Sequence, residues 1–133
     1  MKRQFSKSWK ASRQIRKQRK YLANAPKNVK RIIMSSNLSK ELRKKYSRRS
    51  FPLRKEDNVK VMSGEHKGKT GKVESFDMKK MKVTITGIQI TRKEGTKIPV
   101  KFHPSKLQIQ DLSLEDKKRL DSIKKIENKM EKK

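Results

Sequence analysis

All five glycines of this chain fall between residues 56 and 112, and the same stretch holds its cleanest alternation of apolar and polar residues. Strands with one buried face produce such a pattern, because successive side chains point to opposite faces of a sheet. Val59 and Val61 alternate with Asn58, Lys60 and Met62, and Val83 and Ile85 with Lys82, Thr84 and Thr86. Ile88 and Ile90 continue on the opposite parity, with Gly87 between the two pairs. A bulge or sharp bend at Gly87 returns all four residues to one face. Ile98, Val100 and Phe102 alternate with Pro99, Lys101 and His103, and Leu107 and Ile109 with Gln108 and Gln110. Pro99 has no N–H to give to a ladder, which places its strand at an edge. A strand over residues 71–77, anchored by Val73 and Phe76, brings the number to five. Five short strands joined by tight turns predict a mainly β fold, a small five-stranded barrel.

Charge is distributed against this pattern. Residues 1–55 hold 20 Lys or Arg and a single acid, Glu41; residues 56–112 hold 12 and 7, and residues 113–133 hold 8 and 5. The expected organisation is a basic extension over 1–55, the barrel over 56–112 and a C-terminal helix over 113–133. With a net charge of +27 and only 30% hydrophobic residues, the chain repels itself and has too little core for its length. A polyanion relieves the repulsion best, since each neutralised phosphate releases a condensed counterion, so nucleic acid is the expected partner. A membrane surface requires a dense apolar face that the basic segment lacks. No apolar run has the length of a signal peptide or membrane span, and an intracellular location is expected. The absence of Cys excludes disulfides and thiolate metal sites. Two histidines, His66 and His103, support neither a metal cluster nor a His-based triad. The acids Glu56, Asp57, Glu65 and Glu74 lie among lysines, where salt bridging or solvent exposure explains them better than paired-carboxylate catalysis. The chain is therefore expected not to be an enzyme and to need no cofactor, metal or small-molecule substrate.

The basic segment reads as short helical pieces separated by breaks at Asn24-Ala25-Pro26, Ser35-Ser36-Asn37 and Phe51-Pro52. Ser39 is the expected N-cap of a helix reaching Tyr46, with Glu41 in its first turn and Leu38 and Leu42 on one face. Residues 5–22 are a weaker helix, since Phe5, Trp9, Ile15 and Leu22 keep no steady stripe; ordering on RNA is expected there. Ser113 and Asp116 resemble a capping box ahead of Leu120, Ile123, Ile126 and Met130, which recur at helical spacing. That C-terminal helix can pack on the barrel or dock on a neighbour, and periodicity does not choose.

The segment Val59 to Val73 reads VKVMSGEHKGKTGKV and looks like a KOW motif, a β-turn-β unit of ribosomal and transcription proteins. Gly64, Gly68 and Gly71 allow backbone conformations and close approaches denied to residues with a Cβ. Lys67, Lys69 and Lys72 surround the turn with positive charge suited to a phosphate strand, and His66 sits among them. The flanks Asn24-Ala25-Pro26, Ile33 to Tyr46 (IMSSNLSKELRKKY), Arg49 to Val59 (RSFPLRKEDNV) and His103 to Leu107 (HPSKL) resemble the archaeal and eukaryotic branch of the universal ribosomal L-twenty-four family. The resemblance implies an SH3-like barrel, binding to the 5′ domain of large-subunit ribosomal RNA, early subunit assembly and a place near the exit of the peptide tunnel. It also implies neighbouring large-subunit proteins as partners, a cytoplasmic location in the ribosome, and no homo-oligomer. The KOW turn and the loop over 93–97 look shorter than the eukaryotic pattern, which leans towards an archaeal source. The competing class is a KOW-type transcription elongation or antitermination factor. Those factors carry a separate α/β domain before the KOW unit, and residues 1–55 are too basic and fragmented to form one.

Arg13, Arg16, Lys17, Arg19, Lys20, Lys27, Lys30 and Arg31 are expected to follow RNA backbone, since no acid nearby in sequence can pair with them. Arg43, Lys44, Arg48, Arg49, Arg54 and Lys55 lie within the matched blocks and lead into the barrel, which makes them stronger RNA-binding candidates. Trp9 and Tyr21 are candidates to stack on an unpaired base. Tyr46 and Phe51 are expected to anchor the extension on the barrel, and His103, before Pro104, to serve a turn.

Overall fold

A computed structural model describes residues 5–131, and for Trp9, Glu127, Lys129, Met130 and Glu131 it describes the backbone only. The expectations for the Trp9 ring and the Met130 side chain therefore lie outside the described residues. After a 3₁₀ turn at Lys7–Trp9 come α1 (Ile15–Asn24), α2 (Lys27–Ile33), β1 (Ser35–Leu38), α3 (Lys40–Tyr46) and β2 (Ser50–Pro52). The chain continues with β3 (Asn58–Val61), β4 (Thr70–Asp77), β5 (Lys82–Thr91), β6 (Lys97–Phe102), a 3₁₀ turn at Pro104–Lys106, β7 (Leu107–Asp111) and α4 (Lys117–Glu131).

The strands form one sheet in the order β2-β1-β7-β3-β4-β5-β6. β4 joins its two halves: residues 70–72 pair with β3, and residues 73–77 pair with β5. A strand that changes partner along its length turns a corner, so the sheet wraps around its own apolar face. The end strands β2 and β6 do not pair, and the result is an open, barrel-like sheet. β6 is an edge strand, as Pro99 demands.

β3 to β7 are the five expected strands. β1 and β2 are additions, formed at Ser35-Ser36-Asn37 and Phe51-Pro52, where the sequence suggests breaks between helices. Elements of three or four residues have no room for a periodic pattern, and Ser, Asn and Pro favour turns. Tertiary pairing overrides that preference. β1 lies parallel to β7, with Asn37 opposite Gln108 and Leu38 opposite Ile109, and antiparallel to β2. The buried Ser36 hydroxyl donates to the Pro104 carbonyl at 2.6 Å.

The core is one cluster that includes Val59, Val61, Val73, Val83, Ile85, Ile88, Leu107 and Ile109. Met34, Leu38, Tyr46, Phe51 and Leu53 join it from the basic segment, and Ile123 from α4. Complete burial of a Val, Leu, Ile or Phe side chain contributes about 1.5–3 kcal/mol, so these contributions from outside residues 56–112 are large. At Gly87, φ is +83°, and the β5–β6 register shifts between Thr84 and Gln89. The irregularity turns Ile88 inward, but Ile90 stays 51% exposed. Beyond the bulge β5 pairs with the edge strand β6, and among the described residues no second layer covers Ile90.

Ser39 caps α3 as expected, accepting from the Leu42 amide at 3.3 Å. At α4 the cap is Asp116, whose Oδ1 accepts from the Lys118 amide at 3.0 Å. Ser113 is not the cap: its own amide donates to Asp57 Oδ1 at 2.9 Å. α4 packs on the barrel. Ile123 is 5% exposed, and the Arg119 guanidinium meets the fully buried Asp57 carboxylate in a fork, Nη1 to Oδ1 at 2.6 Å and Nη2 to Oδ2 at 2.8 Å. Removing one partner of such a buried pair strands the other charge at a cost of about 3–5 kcal/mol. Arg119→Met and Asp57→Asn should each lower unfolding stability by roughly that amount, and the double variant should lose less than the sum. Urea denaturation of the three variants measures this, and fully additive losses would mean that the two side chains act independently.

Candidate nucleic-acid interface

The turn between β3 and β4 closes through backbone hydrogen bonds from Gly68 N–H to the Val61 carbonyl at 2.8 Å and from Val61 N–H to the Lys69 carbonyl at 2.9 Å. Gly64 and Gly68 have φ of +96° and +88°, conformations that a Cβ disfavours. Gly71 answers a different need, because a Cβ there would lie 2.7 Å from both Ile85 Cγ2 and the Thr86 carbonyl oxygen. Both uses of glycine read from the motif are thus present. Around the turn, Lys67 is exposed; Lys69 donates to His66 Nδ1 at 3.4 Å, and Lys72 pairs with Glu56 at 3.3 Å, both in solvent. Solvent-exposed pairs of this kind are worth little, so Lys72 remains available to a phosphate. The His66 ring meets Phe102 edge-on at 6.0 Å, which gives the turn a footing on β6.

Helix α1 buries none of its residues, and Arg16, Lys17, Arg19 and Lys20 are exposed along it, with Arg13 just before. The Gln18 amide donates to the carbonyls of Lys10 at 3.0 Å and Ser12 at 2.6 Å, folding the preceding segment back on the helix. Tyr21 stacks on Phe5 at 4.9 Å between ring centroids, so within the described residues its partner is another side chain. The break at 24–26 is a hinge between α1 and α2, with Ala25 buried and Pro26 preceding α2. On α2, Lys27 is exposed and Lys30 donates to the Ala23 carbonyl at 3.3 Å.

Arg31 departs from expectation. Asp116, distant in sequence, approaches it at 3.9 Å and also pairs with Arg54. Folding brings the start of α4 beside α2 and β2, a proximity that local sequence does not encode. Arg43 turns inward, its Nε donating to the Leu38 carbonyl at 2.9 Å, and so braces α3 on β1. Arg48 lies over the Phe51 ring at 4.8 Å. Lys44, Arg49 and Lys55 are exposed and have no carboxylate partner among the described residues. Tyr46 and Phe51 meet edge-on at 6.2 Å and are both buried, which anchors the basic segment on the sheet. Sequence reasoning did not single out Lys118 and Arg119, which the fold brings to one cleft with Arg31, Arg48 and Arg54, because α4 showed no cationic motif beyond its general charge.

His103 opens the 3₁₀ turn at 104–106, where its Nδ1 accepts from the Ser105 amide at 3.3 Å. The same turn holds the KOW segment, since the Met62 amide donates to the Lys106 carbonyl at 2.8 Å. Desolvation, with Lys82 and Lys106 nearby, holds the His103 pKa below its ordinary value.

An open, barrel-like sheet with glycine-shaped turns and an exposed cationic helix defines a class of small basic β proteins. Comparison with known families narrows that class. The family model that describes the ribosomal proteins called L26 in eukaryotes and L24 in archaea matches residues 12–126, so the chain belongs to that ribosomal protein family. A large ribosomal subunit protein uL24 from Korarchaeum cryptofilum is 48% identical over 103 residues, covering 77% of this chain and 79% of the relative. The uL24 proteins of Methanothrix thermoacetophila and Methanosphaera stadtmanae are 44% and 40% identical over 108 residues, covering 81% of this chain and 93% and 92% of theirs.

Two outcomes test the turn. Gly71→Ala should destabilise the fold by about 1–3 kcal/mol through overpacking against β5, a loss read by denaturant titration and refuted by an unchanged midpoint. A His whose folded pKa is depressed adds stability above its unfolded pKa and loses it as pH falls through the folded one. Melting temperature should therefore decline on acidification below the ordinary His value of 6.5. Part of that decline should vanish in His103→Asn, which keeps a capping acceptor.

Proposed function

We propose that this protein is a structural constituent of the large ribosomal subunit, binding the 5′ domain of its ribosomal RNA during early assembly and lying near the exit of the peptide tunnel. It works as a single copy within the cytoplasmic ribosome, beside other large-subunit proteins, and performs no catalytic step. Family membership carries this reading, together with the separation of surfaces that accompanies it. The apolar residues of the basic segment pack on the core from residue 33 onward, while α1 buries no residue and keeps its cations exposed, with Gln18, Tyr21 and Leu22 half-covered. A helix with no buried face has no packing energy of its own, and its charge suits a phosphate backbone. Groups of this kind read shape and charge more than base edges, so recognition of a folded RNA is expected. The transcription-factor reading draws no support, since residues 5–55 form short helices and two strands of the barrel's own sheet.

The chain should co-sediment with large subunits in high salt, and its absence from them would overturn the proposal. With a 5′-domain transcript, log affinity should fall linearly with log salt. The triple variant Lys44→Ala/Arg49→Ala/Lys55→Ala should bind more weakly, with a slope flatter by roughly 0.7–0.9 for each phosphate it no longer neutralises. An unchanged slope would remove these residues from the interface.

A further inference from the structure

A cleft of about 380 Å³ opens between α2, β2 and α4, and five cations line it: Arg31, Arg48, Arg54, Lys118 and Arg119. We propose that this cleft receives one phosphodiester of the RNA backbone, and that Asp116 stands in the position of that anion until RNA displaces it. The inference rests on the RNA-binding role proposed above and gives it a specific seat.

The charges of the cleft are unevenly matched. Asp57 neutralises Arg119, and Asp116 is shared between Arg31 and Arg54. Arg48 and Lys118 have no carboxylate partner among the described residues, although both line the same space. Arg48 is held in place by the Phe51 ring beneath it. Guanidinium groups present planar forks that match the paired oxygens of a phosphate. The Ser50 hydroxyl, also on the wall, adds a donor.

Asp116 is placed to exchange. Its Oδ1 caps α4 through the Lys118 amide, whereas its Oδ2 faces the two arginines. Its side chain is 26% exposed, but Oδ2 itself is covered by the arginines and accepts no hydrogen bond. An arriving phosphate that takes over the arginines leaves the carboxylate its cap and opens Oδ2 to water. An acidic peptide offers similar charge. The cleft, however, lies at the end of α2, which brings the basic segment directly to it, and a backbone with a charge at every nucleotide can bind both.

The experiment uses the full chain and a 5′-domain transcript, with affinity measured across a KCl series. Arg48→Gln/Lys118→Gln alters two exposed side chains and should leave the melting temperature unchanged. It should flatten the salt slope by roughly 0.7–0.9, the value of one phosphate. Asp116→Asn keeps the cap, since Asn and Asp are equally good there, and should tighten binding about two- to fivefold, the worth of an exposed ion pair. If the wild-type chain fails to bind the transcript, the proposed function falls. If it binds and the double variant keeps the wild-type slope, only the cleft is overturned. Unchanged or weaker binding by Asp116→Asn would overturn the displacement step. Competition by an oligoglutamate at lower concentration than by an RNA oligonucleotide of equal length would assign the cleft to an acidic peptide instead.

Discussion

The pair formed by Asp57 and Arg119 holds three separate stretches of chain together. Asp57 accepts from the Arg54 amide at 2.8 Å and the Ser113 amide at 2.9 Å as well as from the guanidinium. Arg119 donates in addition to the carbonyls of Ser113 and Pro52, each at 2.9 Å. The loop after β2, the link after β7 and the first turn of α4 therefore meet at one buried carboxylate. Both carboxylate oxygens and both terminal guanidinium nitrogens find partners, which is the condition under which a charge tolerates burial. Besides this junction and the Asp116 ion pairs, the described side chains of α4 that pack on the core are Ile123 and the partly buried Ile126. The wall that α4 adds to the cationic cleft depends on the same contact.

A chain with so few apolar residues makes a stable core by recruiting them from outside its central strands. Phe51, Leu38 and Tyr46 lie in the most basic part of the sequence, yet they are buried beside Val59 and Ile109. Apart from Arg43, the cations between them remain at the surface, because the alternation of β1 and β2 and the face of α3 separate the two kinds of residue. Cohesion and charge thus share the same segment, with α1 left beyond the core to present charge alone. The arrangement keeps cationic side chains on the same sheet that carries the KOW turn.

The five central strands were legible because alternation at period two has few other causes over such lengths. Gly64, Gly68 and Gly71 were legible as a turn with a close approach, since only glycine meets both needs. Capping by Ser39 followed from local chemistry. β1 and β2 were hidden: their residues favour turns, and pairing with β7 and packing of Leu38 and Phe51 supplied what local preference did not. Ile90 obeyed the alternation but lacks a covering layer, a matter of what lies opposite and not of its own strand. Among the RNA-binding candidates, Arg31 and Arg54 proved to share Asp116, a partner so distant in sequence that no reading of neighbouring residues can detect it.

Periodicity, glycine placement and the segregation of charge by themselves determined a mainly β barrel with a cationic leader suited to a polyanion. These properties reside in short windows of residues, where sterics and solvation act locally. Tertiary structure alone decided that Asp57 meets Arg119, that Asp116 meets Arg31 and Arg54, and that α4 closes on the barrel. Those contacts join residues far apart along the chain. Their energy depends on burial and on the geometry of the fork, and both exist only once the sheet has bent and α4 has packed against it.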